Sequence, residues 1–177
     1  MRLASCARAA VWSPLLRPIL RLRPFDPDDG TAVVSFVRSD EEAGLWASLD
    51  AAPPDAALLR RWHAEADVHP FTLLADEQPV GYGEIWIDRD EDEAELARIV
   101  IAHEWRGRGL GRELTRLLAV EAASHGLAET WLRVVPENAA AISCYRAAGF
   151  VRAADEEEAS FNAGQPRTYV WMRASRL

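Results

Sequence analysis

Two short stretches hold residue types at spacings that could do chemistry. The first is Arg106 to Gly111, "RGRGLG", where an apolar run ends and a helical pattern begins. A strand, a glycine loop and a helix together make an anion site. Successive backbone N–H groups point into the loop, and the helix N-terminus adds roughly half a positive charge. Glycine lets the backbone close on a ligand with no Cβ in the way. Arg106, Arg108 and Arg112 add cations at the rim. Pyrophosphate is the natural guest of such a loop, although a flexible turn before a surface helix would use the same glycines. A Walker loop, GxxxxGK(S/T), is excluded because the chain has no lysine. A dinucleotide fingerprint, GxGxxG, fails because Arg112 stands at its third glycine and no matching βαβ unit surrounds it.

The second stretch is "NAAAISCYRAAGF" (138–150), with Asn138, Ala141, Tyr145, Gly149 and Phe150 at offsets 0, 3, 7, 11 and 12. On a helix the first three share one face. Taken singly they are ordinary: Asn138 is a helix cap and Tyr145 a tyrosine at the core edge.

The elements that must position these stretches follow from the apolar periodicity. "ILRLR" (19–23) alternates as a strand does. Asp28 or Asp29 is placed to cap a helix near Gly30. Residues 40–67 read as an irregular helical region broken at "AAPPD", with Asp55 as N-cap of its second part. "FTLLAD" (71–76), a Glu77–Gln78 turn and "PVGYGEIWID" (79–88) form a hairpin. An acidic tip (89–93) leads into "AELARIVIA" (94–102). Leu110, Leu114, Leu117 and Leu118 form a helical stripe. "ETWLRVV" (129–135) is a strand, and Asn138 to Ala148 is a helix closed by Gly149. "FVRAADE" (150–156) and "RTYVWMRA" (167–174) make a last pair of strands. The order β, α, α, β, β, β, α, β, α, β, β is an α+β plan around a central, mostly antiparallel sheet.

Composition narrows the function classes. With 177 residues, 49% hydrophobic and 27% charged, the chain is globular and long enough for one sizeable core. Its net charge of -8 argues against a general nucleic-acid binder. Cys6 and Cys144 are too few and too distant for a disulfide framework or a zinc site, which suits a reducing, cytoplasmic compartment. No apolar run approaches the roughly 20 residues that span a bilayer. The first 25 residues carry five arginines and no acid, yet lack the apolar core and cleavage site of a secretory signal. Residues 1–18 are therefore expected to be a non-essential or disordered tail, and 19–177 a single domain.

Together, "RGRGLG" and "NAAAISCYRAAGF", separated by a helix and a strand, resemble the GNAT N-acetyltransferase superfamily. The first fits its (R/Q)xxGx(G/A) acyl-CoA loop at every specified position, and the second fits its NxxAxxxYxxxGF helix. The resemblance covers roughly residues 19–174. It implies the GNAT fold, with α/β/α layers and a twisted sheet splayed between strands 4 and 5. It also implies acetyl-CoA as cosubstrate, no metal, and direct transfer of the acetyl group to a primary amine of a small molecule or peptide. Members are often dimers, so a homodimer stays open.

Roles follow from the same resemblance. Backbone amides from Arg106 through Gly107, Arg108, Gly109 and Leu110 to Gly111 would hold the pyrophosphate, with Arg112 beside them. Ile99, Val100 and Ile101 would pair with the pantetheine arm, and the N–H near Ile101 would face the oxyanion. Asn138 would touch pantetheine and Tyr145 would lie near the thioester sulfur, as general acid. Cys144 should point off the tyrosine's face and serve packing. For the general base, Glu95 comes first, because histone-type members carry their basic glutamate at the same offset from the loop. Glu93 matches the offset in ribosomal-protein N-terminal acetyltransferases, and Glu84 on the neighbouring strand is third. Asp40, Glu41, Glu42, Trp46 and the "DEEE" of 155–158 would suit a small cationic acceptor or a peptide, although an exposed acidic helix with Trp46 in the core is the simpler account of the first group. The reading of a different class is a non-catalytic acyl-CoA-binding sensor or interaction module.

Overall fold

The computed structural model describes residues 18–175. The tail expected at residues 1–18 lies outside the described residues but for Pro18. There are seven strands among the described residues: β1 (Leu20–Pro24), β2 (Val68–Ala75), β3 (Gln78–Asp88), β4 (Glu93–Ile101), β5 (Glu129–Val134), β6 (Phe150–Arg152) and β7 (Val170–Ala174). They form one sheet in the order β1-β2-β3-β4-β5-β7-β6, and only the β4–β5 pair is parallel. The helices are α1 (Gly30–Val34), α2 (Asp40–Ala47), α3 (Ala56–Trp62), α4 (Leu110–Ser124), α5 (Ala139–Ala147) and α6 (Asp155–Asn162). The mixed α+β plan, with its mostly antiparallel sheet, is the one expected.

Each face of the sheet has its own apolar cluster. On one face α4 presents Leu110, Leu114, Leu118 and Ala122 to Leu73, Ile85, Leu96, Leu132 and Met172. Each leucine so buried contributes roughly 1.5–3 kcal/mol. On the other face Val33, Phe36, Val37, Ala43 and Leu59 of the α1–α3 region pack on Tyr82 and Val100. α4 comes unusually close to β3, and two strand glycines make room for it. A Cβ on Gly83 would lie 2.6 Å from Leu118 Cδ1 of α4, and one on Gly81 would lie 3.2 Å from Leu114 Cδ2 of α4 and 2.7 Å from Ile101 Cδ1 of β4.

Four local expectations are corrected. The α1 N-terminus is not capped by the side chain of Asp28 or Asp29. Asp26 accepts from the Asp28 N–H at 3.0 Å, while buried Asp29 pairs with Arg23 (2.9 Å) and accepts from Thr72 Oγ1 (2.8 Å). The β2–β3 turn is Asp76–Glu77, one residue earlier than expected, with both φ values positive at 47° and 68°. That is the left-handed pair a two-residue hairpin needs. β6 stops at Arg152, and 155–162 is helical. Glu157 reaches back to the Ala154 N–H at 3.3 Å, and acids fill the first turn, where the helix dipole favours them. Finally, β7 begins at Val170, because the Tyr169 N–H and C=O are both bonded to the Asn162 side chain.

Candidate active site

The parallel pairing of β4 with β5 lasts only from Glu93–Leu96 against Glu129–Leu132. Beyond it the two strands part, and a cleft of about 890 Å³ opens between them, bounded by α2 on one side and α5 on the other. The splay expected between strands 4 and 5 is thus present. Ile99, Val100 and Ile101 line the cleft from β4, and Asn138, Ala141, Cys144 and Tyr145 line it from α5.

β4 is not regular where it leaves β5. Tyr82 pairs with Val100 but Glu84 pairs with Ala97, so Arg98 and Ile99 share one partner position in a bulge. Arg98 takes a left-handed φ of 48° there. The Trp46 indole of α2 donates to the Arg98 carbonyl at 2.6 Å and fixes the bulge from the opposite wall.

At the far end of β4 the chain turns through His103–Trp105 into the glycine loop. Gly107 (φ 73°) and Gly109 (φ 80°) are both left-handed, and Gly109 caps α4. The space where either Cβ would stand is open to 4 Å. The first N–H groups of α4 have no intrahelical partners and face this opening. Gly107, Gly109, Gly111 and Arg112 line the cleft. A diphosphate fits such a cradle. The side chains of Arg108 and Leu110 go elsewhere: the Arg108 guanidinium stands 5.1 Å from the Trp105 ring centroid, and Leu110 is buried in the core.

Arg106 borders the cleft as well, but its guanidinium is also tied into the scaffold. Its guanidinium donates to the Ile101 carbonyl (2.9 Å) and the Phe36 carbonyl (2.9 Å) and pairs with Glu42 (2.5 Å). It is a clamp that ties the loop to α1 and α2. Four of the acids offered for a cationic acceptor, Asp40, Glu42, Glu157 and Glu158, are likewise engaged in the scaffold. Asp40 accepts from the Ala52 N–H at 2.9 Å, and Glu158 pairs with Arg152 and accepts from the Trp171 N–H at 3.1 Å. Of all these acids only Glu42 borders the cleft, beside Trp46, which is half-buried and packs against the second apolar cluster.

The three glutamates weighed as base occupy different surroundings. Glu84 is fully buried and accepts from Tyr82 Oη, Trp86 Nε1 (2.6 Å) and Arg98 Nη1 (2.7 Å). Glu93 accepts from the Trp131 indole at 3.1 Å, and burial raises its pKa. Glu95 lines the cleft, with Arg133 Nε at 3.1 Å from its carboxylate. Burial raises its pKa to about 7, against the opposing pull of Arg133 and Arg98.

Tyr145 is half-buried, and its hydroxyl makes no hydrogen bond among the described residues. Burial, and then the neighbouring Cys144, push its pKa above the usual tyrosine value. Asn138 caps α5 by accepting from the Ala141 N–H at 3.1 Å. Cys144 packs where Gly111 comes near, with Sγ 3.0 Å from the position of a Cβ there, but it also borders the cleft with Tyr145. Sequence reasoning missed Trp86, Arg98, Arg133 and Tyr169, which line the end of the cleft around Glu95. The available signal was an arginine inside each of two largely apolar strands, one of them also carrying Glu95: "AELARIVIA" and "TWLRVV".

Among the described residues no three His, Cys, Asp or Glu side chains are placed to hold a metal ion. No helix among them is long and apolar enough to cross a membrane. A family model described as the acetyltransferase (GNAT) family matches residues 33–150. The [Ribosomal protein bS18]-alanine N-acetyltransferase of Escherichia coli (strain K12) is 42% identical over 59 residues, which are 33% of this chain and 40% of that protein. The streptothricin acetyltransferase of Streptomyces lavendulae is 33% identical over 87 residues, 49% of this chain and 46% of that one. The chain thus spans less than half the length of these curated relatives. An aminoglycoside acetyltransferase solved with coenzyme A and kanamycin superposes with a TM-score of 0.70 at 19% identity, over 89% of this chain and 95% of that one. At that identity the likeness is one of fold.

Proposed function

The chain belongs to the acetyltransferase (GNAT) family, and on that premise we propose that residues 19–177 act as a single cytoplasmic domain that moves an acetyl group from acetyl-CoA to a primary amine. The observation that carries this reading is the cleft itself. A left-handed glycine cradle and a helix N-terminus stand at one end, Glu95 at the other, and Tyr145 lines the same space. Gly107, Gly109 and the first amides of α4 would hold the diphosphate, and Ile99–Ile101 together with Asn138 would hold the arm that follows. Acetyl-CoA supplies the acyl group as a thioester.

The chain's own work is moving protons. An alkylamine with a pKa near 10.4 is mostly charged at pH 7, and removing its proton costs about 4–5 kcal/mol at about 1.36 kcal/mol per unit. Glu95, with a pKa of about 7, is matched to accepting that proton near neutrality, directly or through one water. The N–C bond then forms as the C–S bond breaks, with no covalent enzyme intermediate. Tyr145, kept protonated by its burial, gives its proton to the departing sulfur and recovers one from solvent. The oppositely suited environments of the two groups support this assignment of base and acid.

The experiment is release of free thiol when acetyl-CoA meets a panel of amines. Tyr145→Phe should leave acetyl-CoA affinity within about twofold and slow turnover by at least about tenfold. Full turnover in that variant would remove the phenol from the mechanism. Tight acetyl-CoA binding without turnover on any amine would instead favour a sensor.

A further inference from the structure

We propose that the acceptor is a small amine that also carries a carboxylate, an amino acid or a close analogue, and that Arg133 with Arg98 receives the carboxylate while Glu95 receives the amine. This rests on the acetyltransferase reading above and names the substrate class of the same site. The wall of the cleft around Glu95 presents two guanidiniums, Arg98 and Arg133, whose side chains are 17% and 25% exposed. It presents one carboxylate, because Glu84 is fully buried beneath Arg98. Each guanidinium is already ion-paired, Arg98 with Glu84 at 2.7 Å and Arg133 with Glu95 at 3.1 Å, so what the wall offers a ligand is the donors those pairs leave over.

Both guanidiniums lie over aromatic rings. Arg98 lies 3.6 Å from the Trp62 centroid and 4.8 Å from that of Trp86. Arg133 lies 5.3 Å from Tyr169, 5.4 Å from Trp171 and 5.8 Å from Trp86. Two consequences follow. Trp86 and Tyr169, the rings that line the cleft beside Glu95, already carry cations, so a polyamine would meet like charge there. The guanidiniums are also fixed as planar donor forks, the geometry that suits a carboxylate. Donors remain for it. Arg98 gives Nη1 to Glu84, and Arg133 gives Nη1 to Gln165 at 3.2 Å. Among the described residues the Nη2 of neither makes a hydrogen bond.

In the reaction, Glu95 or a water takes one ammonium proton, the amine nitrogen joins the acyl carbon, and the thiolate leaves and is protonated. The carboxylate is unchanged and only positions the amine. Once Glu95 carries the proton, Arg133 loses the charge of its partner, and the substrate carboxylate supplies a replacement.

The test compares matched acceptors: free α- and ω-amino acids, their amides, the corresponding decarboxylated amines, spermidine and kanamycin, each with acetyl-CoA and thiol release as readout. The carboxylate-bearing member of a matched set should show kcat/KM about 10- to 100-fold above its amide, the value of a hydrogen bond to a charged group. Arg133→Gln should reduce that preference to within about threefold by raising the acceptor KM, with the KM for acetyl-CoA unchanged. Equal or better turnover of amides, amines or spermidine by the unaltered protein overturns the proposal and leaves the acetyltransferase reading intact. Should no amine release thiol, the acetyltransferase reading falls instead. Tryptophan fluorescence of the CoA-saturated protein, titrated with N-acetylated amino acids and their amides, then decides. Tighter binding of the acids sustains the carboxylate site, and equal or absent binding removes it.

Discussion

Glu84, Glu93 and Glu95 differ by what has already claimed their oxygens. Glu84 accepts from Tyr82, Trp86 and Arg98 in a closed network that continues from Tyr82 Oη to His63 Nε2 at 2.8 Å. Since Tyr82 gives its proton to Glu84, His63 must be the donor to Tyr82, and burial lowers the His63 pKa to about 4, which keeps the ring neutral. Such a carboxylate supports the fold, and its complete burial keeps an amine from reaching it. Glu95 has an ion pair and a cleft. In the unaltered protein kcat/KM should therefore rise with pH through about 7, where Glu95 loses its proton. Glu95→Gln should erase that inflection and slow transfer by about 10²–10⁴-fold. The same group predicts a stability effect of opposite sense. Its folded pKa lies above the unfolded value of about 4.3, so the folded state holds a proton that the unfolded state has lost, and stability falls as pH rises from about 4.5 to 7. Glu95→Gln should be more stable than the parent at pH 8, by up to about 3 kcal/mol, with the difference closing below pH 5 in thermal melts.

At the scale of elements, α4 has to reach the sheet closely and begin at a fixed point. Gly83 permits the first. Its Cβ would strike Leu118, which is fully buried and cannot swing aside. Gly83→Ala should cost about 1–3 kcal/mol by overpacking, read as a fall in Tm of about 2–4 °C per kcal/mol. Gly109 sets the second, as the left-handed cap of α4. Gly109→Val meets no steric obstacle in the protein, because the space at its Cβ is open, yet a branched residue strongly disfavours φ 80°. Calorimetry should find acetyl-CoA affinity lost in this variant while far-UV circular dichroism keeps the parent's helix signal. The β4 bulge is the third positioning device, because it turns a strand edge into a cleft wall and is held by a tryptophan from α2.

At the scale of the molecule, the cleft closes because distant parts of the chain hold one another, with Arg106 tying the loop after β4 to Phe36 and Glu42. A ligand that fills it should stabilise the whole chain. Acetyl-CoA at 100 times its dissociation constant contributes about 2.7 kcal/mol, so Tm should rise by about 5–11 °C, and an unchanged Tm would count against the site. The sequence by itself determined the two motifs, the strand and helix order around them, and the glycine cradle, because backbone propensity and periodicity are local properties. It misplaced the hairpin turn by one residue, since Asp76 and Glu77 adopt left-handed backbone without glycine or asparagine. It also read 155–162 as strand and loop, since the pairing of Glu158 with Arg152 and its bond to the Trp171 N–H is a matter of contact. Only the tertiary structure decided which charges face the ligand. Arg106 became a clamp as well as a border of the cleft, Glu84 was sealed under Arg98, and Arg98 and Arg133 emerged against aromatic rings. Whether a side chain is consumed by the scaffold or left for chemistry depends on partners tens of residues away, and spacing along the chain carries no record of them.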